Sequence, residues 1–502
     1  MREDRDSRCS DGPNAGEVGL DPQSLFQEHL DDHFHDQCGV FGIHGHSEAA
    51  NITYLGLYAL QHRGQESAGI VAADGGIHRT HRAMGLVADH FGEATLSRLS
   101  GRHAIGHVRY STAGESLIQN AQPFCATTDA GPVAIAHNGN LINAKAVRGE
   151  LEGRGSIFST TADSEVIVQL LARSREKSIE ERLIDALSRV KGAFSLLVLT
   201  SDTLIAARDP HGFRPLSLGR LDGAWVAASE TCALDLIGAT HERDLEPGEL
   251  VVIRRGRIRS LRPFQRDPAE RFCIFEHIYF ARPDSVLNGH SVYAFRKELG
   301  RALAREHPVT ADLVVPVLDS GNTAAMGYAE AASIPYEQAM IRNHYVKRTF
   351  IEPAQSIRHF GVKVKHNAVR DILKGKRVVL VDDSIVRGTT LIKLVTMLRS
   401  AGAKEVHLRI SSPPTIAPCH YGIDTPTREE LIASQHTTEE ICDITGADSL
   451  GYLSLEQLRE AARGMRRGFC DACFSDQYPV AVDAGELAPQ LSLFRPIELE
   501  EE

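Results

Sequence analysis

Two acids standing side by side at the end of an apolar run, Asp382 and Asp383, are the first residues in this chain whose placement asks for chemistry. Before them lies Val378-Val379-Leu380-Val381, and after them Ser384, Ile385, Val386, Arg387, Gly388, Thr389 and Thr390. The apolar run reads as a buried parallel strand, and Leu391 to Leu398 carries a helical pattern. Ligands of open α/β sheets bind at the carboxyl ends of strands. Backbone N–H groups and hydroxyls at a helix start hold a phosphate, and Gly388 lets the backbone approach it. Asp382 and Asp383 are placed to accept hydrogen bonds from sugar hydroxyls or to stand near a hard cation such as Mg²⁺. The chemistry this fits is binding of a sugar phosphate; the plain alternative is a strand–turn–helix with a solvated Asp pair.

Three further places carry reactive types. Val315-Pro316-Val317-Leu318-Asp319-Ser320-Gly321-Asn322-Thr323-Ala324 repeats the strand, turn and helix start, and taken alone is as well read as a capped helix. Cys38 sits where a polar leader meets the first apolar strand. If residues 1–37 are removed, its own α-amino group, with a pKa of about 8, becomes a base for the thiol. Otherwise Cys38 is a buried structural cysteine. Cys470-Asp471-Ala472-Cys473 has metal-ligand spacing that also suits a redox pair, and spacing does not choose between zinc and iron–sulfur.

The elements that must position these residues fall into two sets. Residues 38–260 alternate short strands (Gly39–Ile43, Ile105–Val108, Val133–Ala136, Phe194–Leu199, Leu250–Ile253) with helices at Ala49–Leu60, Ser164–Ser174 and Ile179–Val190. The basic run Arg254-Arg255-Gly256-Arg257-Ile258-Arg259 followed by Arg262-Pro263 marks a boundary near residue 265. Beyond it, Leu313–Leu318, Asn322–Ala332, Val378–Val381, Leu391–Ser400 and Val406–Ile410 alternate as a doubly wound parallel sheet.

A chain of 502 residues holds more than one core. Its 42% hydrophobic and 24% charged content is that of a globular protein. Residues 1–37 contain three Arg and ten acids, a charge of −7 out of the total −11, and read as disordered. The net charge of −11 argues against a nucleic-acid binder, while the near-neutral remainder says little about partners. The leader has no apolar core of a secretory signal, and no run is long enough to span a membrane. Nine cysteines without an export signal point to a reducing cytoplasm.

The segment 378–390 resembles the phosphoribosyl pyrophosphate (PRPP) motif of type I phosphoribosyltransferases. Leu60-Gln61-His62-Arg63-Gly64-Gln65-Glu66-Ser67-Ala68-Gly69, Gly106-His107-Val108-Arg109-Tyr110-Ser111-Thr112, His137-Asn138-Gly139-Asn140-Leu141 and Thr161-Ala162-Asp163-Ser164-Glu165 together resemble class II glutamine amidotransferases, which are N-terminal-nucleophile hydrolases. Read singly, Arg109 is a surface charge, Asn138-Gly139 a hairpin turn and Asp163 a helix N-cap; in this order and spacing they match the family. A glutaminase half followed by a phosphoribosyltransferase half resembles the glutamine PRPP amidotransferase family over nearly all of residues 38 to about 480, in its iron–sulfur-containing branch. The long acidic leader departs from that family's short propeptide.

The resemblance implies a four-layer α/β/β/α sandwich at 38–265 followed by a doubly wound parallel sheet at 266–502. It implies the first committed step of purine synthesis: PRPP, glutamine and water give 5-phosphoribosylamine, glutamate and pyrophosphate. Cys38 is then the nucleophile, and the Asn138 side chain with the Gly139 N–H the oxyanion donors. Arg109 grips the glutamine α-carboxylate, Asp163 the α-ammonium, and Arg63 supports the site. PRPP falls to Asp382, Asp383, Ser384, Arg387, Gly388, Thr389, Thr390, Asp319, Ser320 and Gly321, with Ser320, Asp382 and Asp383 near Mg²⁺. Asn343 to Phe350 resembles a mobile loop that closes over PRPP. Cys273, Cys419, Cys470 and Cys473 would hold a [4Fe–4S] cluster with a structural and oxygen-sensing role. Purine nucleotide inhibitors and a homotetramer are further family expectations. Cys9, Cys125, Cys232 and Cys442 receive no task.

Overall fold

The computed structural model describes residues 38–110, 116–129, 131–264, 270–342, 366–465 and 468–482. The leader 1–37, Ser111-Thr112 and the loop Asn343 to Phe350 lie outside these described residues.

The first half is built on two antiparallel sheets. One has seven strands in the order Thr240–Asp244, Ser217–Leu221, Ala224–Ala228, Gly39–His44, His103–Arg109, Ser67–Asp74, Ile77–Met84. The other has six, in the order Arg257–Leu261, Leu250–Arg254, Thr203–Arg208, Gly192–Leu199, Gly131–Leu141, Phe124–Thr128. Successive residues of a strand point to opposite faces. Val40 therefore meets Ala134, Ala136 and Leu197 between the sheets, while Phe41 and Ile43 turn outward onto the layer of Ala49–Ala59 and Thr231–Leu236. On the second sheet Val133, Ile135 and Leu141 pack under Ala144–Gly153, Glu165–Arg173 and Ile179–Ser188. Both faces of the central strands are thus apolar, and the layers run helix, sheet, sheet, helix as expected.

The second half is a four-stranded parallel sheet ordered Leu313–Pro316, Arg377–Asp382, Glu405–Ile410, Ser449–Tyr452. Val292–Glu306 and Asn322–Ala332 pack on one face, around Val314 and Val379. Thr389–Ser400 packs on the other, around Val378 and Leu380. This is the doubly wound arrangement read from the alternating pattern.

Two of the bland single-residue readings give way, and the basic run before the expected boundary takes a definite form. The basic run at 254–259 is a hairpin, with Arg254 opposite Arg257 and the turn taken by Arg255 and Gly256 at positive φ (51° and 74°). Asn138-Gly139 is not a turn but lies inside the eleven-residue strand Gly131–Leu141. Asp163 is not a helix cap; the residue before Glu165–Arg173 is Ser164, and Asp163 serves a neighbouring strand instead.

Candidate active sites

At the PRPP-motif end of the parallel sheet, Pro316 pairs with Val381 and Asp382 with Ile410, so the strand ends stand level. That alignment brings the two loops together: Ser320 Oγ donates to Asp382 Oδ1 at 3.1 Å. Gly321 is required there, because a Cβ would overlap the carbonyl oxygen of Val381. Gly388 sits at the start of helix Thr389–Ser400 with φ 81°, a left-handed conformation that favours glycine. Asp382 and Asp383 are both buried. The Asp382 carboxyl is pushed well above the usual carboxylate range by burial and then by the Asp383 charge beside it. Asp383 Oδ1 accepts from Ser384 Oγ at 2.6 Å, whereas Asp383 Oδ2 is buried with no hydrogen-bond partner among the described residues. Arg387 donates to Glu430 at 3.0 Å, and Asp319 pairs outward with Arg342 at 2.5 Å.

Cys38 lies at the start of the central strand of the seven-stranded sheet, 7% exposed. Its Sγ stands 3.6 Å from the Tyr110 carbonyl oxygen. Burial pushes the thiol up to about 11, against the opposing pull of the Arg109 guanidinium. The groups acting most strongly on it are Arg109, the Tyr110 carbonyl, Asp163 and Glu66, none of them an imidazole.

The register of Gly131–Leu141 shows what the Asn138-Gly139 strand offers. Ile142 N–H donates to Lys191 O, so by the alternation of an antiparallel ladder Asn140 and Asn138 bond to the strand Gly192–Leu199 while His137, Gly139 and Leu141 point their N–H groups away from it. His137 N–H is taken by Gln122 Oε1 at 2.8 Å and Leu141 N–H by Asp163 Oδ2 at 2.9 Å. Gly139 lies between them, beyond the end of the neighbouring strand, whose pairing stops at Phe124 with Ile135. The side chain of Asn138 is fully buried, and among the described residues neither its nitrogen nor its oxygen has a partner. An orphaned buried amide costs about 1–3 kcal/mol, which a ligand's oxygen would offset. Arg109 is not a surface charge: it is 3% exposed and donates to Glu66 at 2.6 Å.

Arg63 is buried behind the nucleophile and donates through Nε to the Cys38 carbonyl oxygen at 3.1 Å. Its other nitrogens reach Glu230 at 2.5 Å and Glu276 at 2.8 and 3.0 Å. Arg214 also meets Glu276, at 3.3 Å, and donates to the Tyr421 carbonyl at 2.9 and 2.6 Å. Glu276 lies three residues past Cys273. Cys273 and Cys470 pair in register on two short parallel strands, and with Cys419 and Cys473 they line one cavity closed by Phe213, Tyr421 and Tyr478. Glu230, Glu276 and Arg214 drew no attention in the sequence, because a buried ion pair has no linear spacing.

Residues 107–235 match the glutamine amidotransferase domain family, and residues 290–411 the phosphoribosyl transferase domain family. A glutaminase sandwich joined to a phosphoribosyltransferase sheet therefore defines the class. The chain is 50% identical to the amidophosphoribosyltransferase of Bacillus subtilis (strain 168), over 91% of this chain and 97% of that one. It is 52% identical to the chloroplastic amidophosphoribosyltransferase 2 of Arabidopsis thaliana, over 89% and 80%. A solved structure described as the allosteric regulatory enzyme of purine biosynthesis superposes with a TM-score of 0.86 at 50% identity, covering 90% of this chain and 98% of that chain. Glutamine PRPP amidotransferase from B. subtilis, complexed with ADP and GMP, superposes at 0.85 with the same identity, over 89% and 98%. The chain belongs to the amidophosphoribosyltransferase family, the glutamine-dependent pentosyltransferases of purine biosynthesis.

Proposed function

We propose that this chain converts PRPP, glutamine and water into 5-phosphoribosylamine, glutamate and pyrophosphate, with residues 38–265 releasing ammonia and residues 266–502 consuming it. The observation that carries the residue assignment is the buried, unpartnered Asn138 amide beside an outward-facing Gly139 N–H, in the half that begins with Cys38. Hydrolysis of an amide through a thioester needs such a pair aimed at the developing oxyanion. Cys38 attacks the glutamine amide carbon. A thiol held near 11 is a poor nucleophile at neutral pH, so removal of residues 1–37 would serve activation directly, by placing an α-amino base beside it. Arg109 takes the α-carboxylate and Asp163 the α-ammonium, while Arg63 holds the Cys38 carbonyl.

In the second half, the turn through Arg387, Gly388, Thr389 and Thr390 takes the 5-phosphate and Asp319, Ser320 and Gly321 the pyrophosphate. The unpartnered Asp383 oxygen and the raised Asp382 carboxyl fit a hard cation, which Asp382, Asp383 and Ser320 would hold. Mg²⁺ supplies charge neutralisation on the departing pyrophosphate. Water must be kept from the ribosyl centre; the segment Asn343 to Phe350 is proposed for that.

Cys273, Cys419, Cys470 and Cys473 would hold a [4Fe–4S] cluster. They surround one cavity, and burial raises the Cys470 and Cys473 thiols, an unfavourable set that metal ligation as thiolates would relieve. Purine nucleotides are proposed as regulators on the strength of the ADP- and GMP-bound relative. A homo-oligomer, and the cytoplasm as compartment, are proposed with them; no disulfide joins the eight described cysteines, which suits a reducing compartment.

The test is pyrophosphate release from PRPP with glutamine or with free ammonia. Cys38→Ala should abolish the glutamine reaction and keep the ammonia reaction; loss of both would contradict two separate sites.

A further inference from the structure

On the strand that carries the oxyanion donors Asn140 follows Gly139, and its side chain crosses to the other half of the protein. Side chains of one strand alternate, so Asn140 shares a face with Asn138. Asn140 Nδ2 donates to the carbonyl oxygen of His420 at 2.9 Å. His420 belongs to the run Cys419-His420-Tyr421-Gly422, which Arg214 grips at the Tyr421 carbonyl. Gly422, at φ 100°, lies against Gly139 so closely that a Cβ on it would stand 2.8 Å from the Gly139 carbonyl carbon and 3.0 Å from its Cα. The Phe213 and Tyr421 rings stack at 4.2 Å behind this contact. Gly139, whose N–H would meet the oxyanion, is therefore backed by a loop from the phosphoribosyltransferase half, and Asn140 ties that loop to the strand by a side-chain hydrogen bond.

We propose that Asn140 is a positioning residue for glutamine hydrolysis: by holding the 419–422 loop against Gly139 it fixes the oxyanion peptide in place. The proposal rests on the oxyanion reading of Asn138 and Gly139 given above. Oxyanion donors act on charge that develops only in the transition state, and removing one costs about 10²–10³ in kcat. A donor displaced by a fraction of an ångström should lose part of that, about 10- to 100-fold.

Asn140→Asp keeps the shape and replaces the donor with an acceptor facing a carbonyl. In the processed, iron-loaded enzyme that begins at Cys38, the glutamine-dependent kcat should fall about 10- to 100-fold. KM for glutamine and ammonia-dependent synthesis should each stay within about twofold. Alkylation of Cys38 by iodoacetamide develops no oxyanion, so its rate should also be unchanged, as should the iron content. Gly422→Ala, which would bring a methyl within 2.8 Å of the Gly139 carbonyl carbon, should lower the same kcat. The proposal is overturned if Asn140→Asp keeps its glutamine-dependent kcat within twofold of the parent. Equal loss of the glutamine and ammonia reactions, or loss of iron, would also overturn it, since that marks a general structural role. Asn138→Ala run in parallel separates the two readings: if it too retains kcat, the oxyanion assignment itself has failed.

Discussion

The Arg63 guanidinium and the Glu276 carboxylate form a two-pronged pair across the two halves of the chain, Nη2 to Oε1 at 2.8 Å and Nη1 to Oε2 at 3.0 Å, both side chains fully buried. Arg63 stands on the short 3₁₀ turn Gln61–Arg63 of the glutaminase half and Glu276 opens the π-helical turn Glu276–Phe280 of the other. Because Arg63 also holds the Cys38 carbonyl, the nucleophile's backbone is anchored through one guanidinium to the far half. Taking one partner from a buried pair leaves an uncompensated charge, at a cost of about 3–5 kcal/mol. Glu276→Ala should therefore destabilise the protein by about that amount in chemical denaturation. Glutamine-dependent turnover should fall more than ammonia-dependent turnover.

Processing should be visible in the thiol. In the unprocessed chain Cys38 is held near 11, so its alkylation rate should rise about tenfold per pH unit up to about pH 10 and level off near 11. A chain beginning at Cys38 gains an α-amine of pKa about 8, and its glutamine-dependent rate should climb through pH 7–8 as that amine loses its proton. Amino-terminal sequencing of active enzyme should read Cys-Gly-Val-Phe. An active enzyme still carrying residues 1–37 would refute the scheme.

Burial and the neighbouring Asp383 charge raise the Asp382 carboxyl, so the fold favours its protonated form. A carboxyl whose folded value lies above its unfolded value weakens stability as pH rises past the unfolded value of about 4. Metal-free protein at pH 7 should then gain thermal stability from Asp383→Asn, and Mg²⁺ should raise the melting temperature of the parent but not of that variant. Pyrophosphate release should fall about 100-fold or more in Asp383→Asn with glutamine and ammonia alike.

Gly321→Ala places a methyl on the Val381 carbonyl, with backbone rather than a flexible side chain in the way. Overpacking of this kind costs about 1–3 kcal/mol. Both nitrogen donors should lose turnover, with KM for PRPP raised, as measured by steady-state kinetics.

Protein purified without oxygen should be brown and carry about four irons per chain if the cysteine cavity holds the proposed cluster. Cys419→Ser should lower the iron content. Iron-free, colourless protein with full activity would refute the cluster.

Local chemistry was legible in the chain itself. The strand–acid–acid–glycine order at 378–390 needs only one strand and one turn to make its cup, and the structure builds it from neighbours in sequence. The helices Ala49–Ala59, Glu165–Arg173 and Asn322–Ala332 follow from patterns within single segments, and end within a residue or two of where the spacing puts them. Residues read singly misled: Asn138-Gly139 has the look of a turn, yet the pairing with Gly192–Leu199 draws it into a strand and aims the Gly139 N–H outward. What only the tertiary structure decided are the contacts between residues far apart in the chain: Arg63 with Glu276, 213 positions on, and Asn140 with His420, 280 positions on. A buried charge or a lone amide is satisfied by whatever the packing of two domains brings to it, and no spacing along a chain encodes that meeting.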